Sequence, residues 1–461
     1  MKSLYYVTIS VTISVATGAA LALLATSPSV APWLSRVTIS RATASPSADA
    51  ATTYHELEVF GKVFEAVRQD YVDKPDPDKL IQSALDRMVG GLDPHSNYMD
   101  PKDFEEMQVD TTGQFGGLGM EVTTDNNLVK VISPIDGTPA SKAGILAGDI
   151  IMQIDGKPIK DVPLDKVVAQ LRGPVGSKVT LNIQRKNAAQ LIVVTLTREI
   201  IKVHPVSSSA EGDNVGYLRI KEFNELTNDE LKSAIADLSA KIPADKMKGY
   251  ILDLRNNPGG LLDQAVEVVN DFMSAGEIVS TRGRDPGDDE RFFAKPTAGD
   301  LTHGKPLIVL INGGSASASE IVSGALQDQK RATILGTRSF GKGSVQTIMP
   351  LGAGNGALRL TTAKYFTPSG RSIQAEGITP DITVLQNVPK ELQGSGAEVS
   401  EASLPGHFHA QGKEERGSQA YVPPKPQDDT ALQTALALLR GSKVDAAFPP
   451  KRQQALARQA H

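Results

Sequence analysis

"PLIVLINGGSASASEIVSGALQD", residues 306–328, joins an unbroken apolar run to a helical pattern through a turn of glycines and alternating serines. The run PLIVLIN has the length and bulk of a strand buried on both faces, and SEIVSGALQD repeats apolar residues at helical spacing. The same pairing stands upstream, where YILDLRNN (250–257) leads through Pro258, Gly259 and Gly260 into LLDQAVEVVNDFM (261–273). Strands alternating with helices mark an α/β unit, expected over residues 200–386.

Outward from this core the character of the chain changes. Residues 54–112 read as a helical module, with Leu57, Phe60, Val63, Phe64 and Val67 at helical spacing and DKPDPDK as a loop. Residues 113–199 hold short β-rich runs (GGLGMEV, NLVKVISPI, DIIMQIDGKPI, SKVTLNIQR) around one helical interval, LDKVVAQLRG. Residues 387–461 are polar and rich in Gly, Pro, Glu and Gln, so a mostly disordered tail is expected, with one short helix at TALQTALALLR. At the other end, residues 1–25 carry an uncharged stretch, LYYVTISVTISVATGAALALLA, behind Lys2. Its length suits an export signal or a membrane anchor, and 26–53, rich in Ser, Ala, Pro and Thr, reads as a linker. The expected location is therefore outside the cytoplasm, periplasmic or anchored to the outer face of the inner membrane.

With 40% hydrophobic residues, 22% charged and a net charge of -5, the chain offers no basic surface that would select nucleic acid. The absence of cysteine excludes disulfides, thiolate catalysis and Cys-based metal sites. No metal and no cofactor is expected.

The run SPIDGTPASKAGILAGDIIMQIDGKPI within 113–199 resembles the PDZ domain. Gly117, Leu118, Gly119 and Met120 form a glycine-apolar loop whose amides would hold a terminal carboxylate. The following strand edge and the helix at 164–171 would then make a groove for an extended peptide. Arg172, just past that helix, is by resemblance to PDZ-bearing processing peptidases a residue that couples peptide binding to the protease body; a solvated charge beside a turn is the plainer reading.

For the serines, a Ser-His-Asp mechanism needs a histidine within hydrogen-bond reach, and none lies in residues 312–328. Of the seven in the chain, His55 is in the first helix and His407, His409 and His461 are in the expected tail, so a conventional triad is poorly supported. The nucleophile-elbow pattern G-x-S-x-G also fails, since the fifth position is Ser317. Downstream, Lys342 sits between Gly341 and Gly343, and a buried lysine can act as a general base once its amine is neutral. Gln346 is four residues on, and its amide could hold that amine without adding charge. The stretch from Gly336 to Lys342 begins like a phosphate-binding loop, but Gly343 stands where a hydroxyl is required. Ser317 with Glu320 is also a capping box, S-x-x-E, which by itself would account for the serine.

SASASEI followed by FGKGSVQ, with DLRNNPGG and LDPHSNYM upstream and a PDZ-like segment between, resembles the C-terminal processing peptidases, or tail-specific proteases. The resemblance spans about residues 55–385 and implies a serine endopeptidase with a Ser-Lys dyad. It makes Ser317 the nucleophile, Lys342 the base and Gln346 its orienting partner. It places the oxyanion hole on the amide of Ala318 with Gly259 or Gly260. It implies multidomain α/β architecture: an N-terminal helical module, a PDZ domain, and a protease core with mixed sheet and crossover helices. Implied partners are protein substrates engaged through apolar C-termini, a homo-oligomer with 54–70 and 430–440 as candidate faces, and a lipoprotein adaptor. A non-catalytic PDZ scaffold or adaptor with a protease-like domain is the rival reading.

Overall fold

The computed structural model describes residues 48–125, 127–186, 188, 190–296, 299–390 and 399–451. The expected signal or anchor at 1–25 and most of the linker lie outside the described residues. Among the described residues no helix is long and apolar enough to cross a membrane.

The chain divides into two compact units at Asp76. The first contains α1 (Ala48–Asp70), which begins inside the stretch expected as linker and exposes Leu57, Phe60 and Val63. The second unit begins with α2 (Pro77–Gly90), β1 (Asn97–Met99) and α3 (Pro101–Thr112). The single helical module expected over 54–112 is therefore split. Beyond α2 it is not purely helical, because LDPHSNYM forms a turn and strand β1, which pairs with the α/β core.

A β-rich body follows: β2 (Gln114–Gly117), β3 (Met120–Asp125), β4 (Leu128–Pro134), α4 (Pro139–Lys142), β5 (Ile150–Ile154), β6 (Lys157–Pro158), α5 (Leu164–Leu171), β7 (Lys178–Gln184), β8 (Ile192–Thr197) and β9 (Glu199–Lys202). Strands β3-β4-β5-β7-β8 form an antiparallel sheet with β6 on β5. Val131, Ile151, Leu181 and Ile183 pack beneath α5 through Val167 and Leu171. Entry and exit strands β2 and β9 pair with each other, Gln114 opposite Lys202, so the body hangs from a two-stranded root.

The core holds β10 (Val206–Glu211), β11 (Val215–Ile220), α6 (Thr227–Lys241), β12 (Gly249–Asp253), α7 (Leu262–Asn270), β13 (Glu277–Arg282), β14 (Glu290–Phe293), β15 (Leu307–Ile311), α8 (Ala318–Asp328), β16 (Thr333–Gly336), β17 (Ser344–Pro350), β18 (Ala357–Phe366) and β19 (Ile382–Thr383). One sheet runs β10-β11-β12-β15-β16-β19, parallel from β11 onward. Strands β12 and β15 are buried along their whole length, which explains their unbroken apolar runs. A second, antiparallel sheet runs β1-β18-β13-β14, with β17 on β18.

A parallel sheet must be covered on both faces. Helices α6, α7 and α8 cover one. The other is covered by α9 (Thr430–Leu439), whose Ala431, Leu432, Ala435, Leu436 and Leu439 pack against Ile251, Ile308, Leu310 and Leu335. The expectation of a mostly disordered tail fails here. Residues 399–451 wrap the core, and the segment's low apolar content is offset by α9 and by buried polar anchors. Arg255 at the end of β12 makes two 2.8 Å hydrogen bonds to Asp429, the N-cap of α9. The short helix itself lies where the sequence placed it.

Candidate active site

SASAS sits at the carboxyl end of β15, where ligand crevices of open α/β sheets form. The three serines there have separate fates. Ser315 is fully buried, and its hydroxyl donates to the Leu254 carbonyl (2.8 Å) while accepting from Asn312 N–H. Ser319 is fully buried, and its hydroxyl donates to the Asn257 carbonyl (3.1 Å). Ser317 is 6% exposed and heads α8 in a capping box with Glu320. Among the described residues no carbonyl takes its hydroxyl proton, and the hydroxyl's neighbour is the Tyr365 phenol of β18. Burial pushes that phenol up to about 12, with the Ser317 contact opposing, so Tyr365 is neutral.

Ser317 adopts φ 53° and ψ -113°, a region costly for a side chain with a Cβ, by about 1–3 kcal/mol. Strain of this kind persists only where the surroundings impose it. Here Glu320, one turn into α8 and fully buried, accepts from Ser317 N–H at 2.8 Å. The same oxygen accepts from Lys342 N–H at 2.9 Å, so the backbones of serine and lysine converge on one atom. Its other oxygen takes Gly341 N–H at 2.7 Å and the Ser339 hydroxyl at 2.5 Å. The S-x-x-E pattern is thus the capping box expected from the sequence and, in addition, a clamp between the serine turn and the lysine loop. Burial pushes the Glu320 carboxyl up to about 7 against these four donors, which favour the anion.

Glutamine at 320 would turn an NH2 toward donors that need an acceptor. A hydrogen bond to a charged group is worth about 1.5–3 kcal/mol. Glu320→Gln is therefore expected to lower kcat by about tenfold or more, with KM little changed and the fold retained. Steady-state kinetics on a peptide, with urea unfolding alongside, checks this, and an unchanged kcat contradicts it.

Lys342 lies in a loop held entirely through its backbone. Gly341 carbonyl accepts from Ala375 N–H, Gly343 N–H donates to Gln374, and Gly343 carbonyl accepts from Tyr365 N–H. Gly343 has no alternative residue, since a Cβ would meet Gln374 N at 2.4 Å. Among the described residues Nζ makes no hydrogen bond or ion pair. Burial lowers its pKa below the usual 10.5; Arg359 adds to the lowering, while Glu401, Glu320 and Asp93 oppose it. An unpaired, desolvated amine is what a lysine base requires.

Gln346 is on β17, just after a register shift, and its amide nitrogen donates to Ser344 (3.0 Å) and Thr361 (3.2 Å). The expected hydrogen bond to Lys342 is not formed. Thr361 in turn bonds Asp93 and Ser96 of the LDPHS turn (3.0 Å each), so that motif buttresses Gln346 from the other side of β18. Glu401, fully buried in the segment expected as tail, is held by His95 (2.8 Å) and Gln374 (2.9 Å). Sequence reading missed Tyr365, Thr361 and Glu401 as site neighbours, because all three reach it over long chain separations.

For the oxyanion hole, Ala318 is the first residue of α8, and its N–H donates to no group among the described residues. Gly259 and Gly260 divide the alternatives left by the sequence. Gly259 N–H is committed to the Asn257 side chain at 2.9 Å. Gly260 bridges Phe223 through the flanking groups, which leaves its own N–H pointing away from that bridge. Gly259 still matters by shape: at φ 106° a Cβ there would fall 2.7 Å from Ser317 Cβ and 3.0 Å from Ala318 N. Of the two glycines, Gly260 keeps its N–H uncommitted among the described residues, as Ala318 does.

In the β-rich body, Gly117, Leu118, Gly119 and Met120 form the bend from β2 to β3, with Leu118 buried and Gly119 at φ 73°. A cleft of about 940 Å³ runs beside α5, lined by Leu164, Val168 and Arg172. Its far wall is Gln114–Gly116 and α3, rather than the strand following the loop. Arg172 ends α5 and places its guanidinium 4.4 Å from the Phe115 ring, at the root of the body. Beside it, buried Arg198 bonds the Leu171 and Gln170 carbonyls and ties α5 to that root.

Three family descriptions match the chain: peptidase family S41 over residues 214–384, PDZ domain over 116–196, and the activating protease CtpB N-terminal domain over 17–103. A carboxy-terminal-processing protease of Bartonella bacilliformis is 56% identical over 400 residues, 86% of this chain and 91% of the relative. The carboxy-terminal processing protease CtpA of Bacillus subtilis is 36% identical over 72% of this chain and 70% of the relative. Among solved structures, a photosystem II D1 C-terminal processing protease is 31% identical over 71% of this chain and 93% of its own, with a TM-score of 0.41. With an S41 domain interrupting no motif quoted above and a PDZ domain ahead of it, the chain belongs to the carboxy-terminal processing proteases, serine peptidases of family S41.

Proposed function

We propose that this protease cleaves by a Ser317–Lys342 mechanism and selects exported proteins by their apolar C-terminal tails. One observation carries the first half. Of the three serines, Ser317 is the one whose hydroxyl donates to no carbonyl among the described residues, and its amide shares a carboxylate oxygen with that of the buried, unpaired Lys342. Ser317 Oγ attacks the scissile carbonyl carbon while Lys342 Nζ takes its proton. The oxyanion is met by Ala318 and Gly260 N–H and by the positive end of α8. Collapse breaks the C–N bond, and Lys342 returns the proton to the leaving amine. Water, deprotonated by Lys342, then attacks the acyl-enzyme and frees Ser317 and the new carboxylate. Gln346, turned by Thr361 and Ser344, presents its amide oxygen as the remaining group that can steady the lysine.

For the tail, the PDZ loop at Gly117–Met120 supplies amides and the α5 cleft an apolar wall; Arg172 on Phe115 links groove and root. Export, with the enzyme periplasmic or anchored to the outer face of the inner membrane, rests on residues 1–25. Self-association through the exposed apolar face of α1 follows the same family reading; α9 is spent on the core and is withdrawn as a second face. The test compares unfolded substrates ending in an apolar free carboxylate or its amide. Amidation is expected to raise KM about tenfold or more, the loss of one charge-assisted contact, and Ser317→Ala to cleave neither. Equal KM for both substrates contradicts tail selection. Binding of the tail without any cleavage by the wild type supports the scaffold reading instead.

A further inference from the structure

The segment after the short turn Glu401–Ser403 carries His407, His409 and Glu414. His407 Nε2 is 3.3 Å from Glu414 Oε1, His409 Nδ1 is 2.8 Å from the same oxygen, and the rings meet edge to face at 5.2 Å. The other nitrogen of His407, Nδ1, lies 2.8 Å from the Leu404 carbonyl. A carbonyl only accepts, so Nδ1 carries the hydrogen, and in the neutral ring Nε2 is a bare lone pair. It faces a carboxylate oxygen. A second ring proton on Nε2 reconciles the two as an ion pair, and a metal ion can take that proton's place.

We propose that His407 Nε2, His409 Nδ1 and a Glu414 carboxylate oxygen bind a divalent transition-metal ion of the zinc class, with water completing the shell. One ligand atom from each residue lies within 4.8 Å of the others. Two ligands on a tetrahedral zinc with bonds of about 2.0–2.2 Å stand about 3.3 Å apart, so His407 and Glu414 have the required span. Exposed His409, now at a hydrogen-bonding 2.8 Å from the same oxygen, moves out by about half an ångström to join them. Two imidazoles and one carboxylate select zinc-like ions over magnesium or calcium, which take oxygen shells. The Leu404 carbonyl acts as the outer partner that fixes the donating nitrogen, and Ala410 N–H, 3.3 Å from Glu414, steadies the carboxylate. Exposed His409 leaves an entry path.

The site bears on the lysine loop. Gln374 bonds the Phe408 carbonyl (3.0 Å), Glu401 (2.9 Å) and Gly343 N–H (3.1 Å), and Gly412 N–H bonds Glu376 (2.8 Å). A metal there would pin the strap that packs against the loop carrying Lys342. This is a feature of the strap and does not depend on the Ser-Lys reading.

The untagged full chain, stripped of metal, is titrated with zinc chloride by calorimetry, with hydrogen exchange read over 404–416. One zinc per chain is expected, with slowed exchange in that segment and no comparable uptake of magnesium. His409→Ala and Glu414→Gln, both at exposed or half-exposed positions, are expected to melt like the metal-free wild type and to bind zinc at least ~10-fold more weakly. Absence of saturable zinc uptake, or wild-type affinity retained by either variant, overturns the proposal.

Discussion

Replacing Lys342 with alanine is expected to reduce peptide turnover by about 10²–10⁴-fold, the usual contribution of a positioned general base, without loss of the fold. The loop keeps its shape in this variant, because its bonds to Glu320, Gln374, Ala375 and Tyr365 are all made by backbone atoms. Lys342→Arg separates charge from basicity. A guanidinium stays protonated at any working pH, so arginine is expected to be as inactive as alanine. In the proposed mechanism only the neutral amine accepts the serine proton. Activity should therefore rise with pH through the Lys342 pKa, and that limb should lie below the ordinary 10.5, because burial disfavours the ammonium. Stopped assays across pH on all three proteins check this. An arginine variant with near-normal turnover contradicts the assignment.

The largest expected effect on stability lies far from the serine. Asp429→Ala strips the buried Arg255 guanidinium of two 2.8 Å bonds and α9 of its N-cap. Arg255 is 3% exposed and Asp429 equally so, so solvent cannot take the partner's place. Breaking a buried pair by removing one member costs about 3–5 kcal/mol, and chemical denaturation is the measurement. Asp253, bonded to the same guanidinium at 2.6 Å and to the Tyr217 hydroxyl at 2.7 Å, leaves some compensation, which favours the lower end. Burial alone would raise the Asp429 carboxyl, but Arg255, Leu432 N–H and Gln386 outweigh it and hold the pKa below the usual 3.8. A depressed carboxyl stabilises the fold above its unfolded pKa, and that contribution is lost as the pH falls through the folded value. The alanine variant should thus converge with the wild type only in strong acid. A cost below about 1 kcal/mol, the range of exposed pairs, contradicts the account, as does a strap at 399–451 no more open to protease than before.

Most of the core was legible in the sequence for a physical reason. PLIVLIN and YILDL are continuous apolar runs because both faces of a central parallel strand are covered, and that pattern survives in one dimension. The glycines of NPGG and GKG were legible too, since close backbone approach leaves no room for a side chain. What was hidden is long-range. The strap at 399–451 has the composition of a disordered tail, yet a few apolar residues on α9 and buried carboxylates at 401 and 429 fasten it. The choice among Ser315, Ser317 and Ser319 was hidden as well. It depends on the Leu254 and Asn257 carbonyls that occupy the outer two hydroxyls, and no local spacing encodes that. Glu320 looked like a helix cap because its local bond to Ser317 is one; its bonds to 339, 341 and 342 arrive from the next loop.

Covalent trapping of the nucleophile tests the central claim most directly. A serine-directed fluorophosphonate is incubated with the wild type and with Lys342→Ala, and the modified residue is located by peptide mass spectrometry. Labelling confined to Ser317, and slowed by orders of magnitude without the lysine, is the predicted result. Labelling of Ser315 or Ser319, or labelling of Ser317 at the same rate in both proteins, would contradict it.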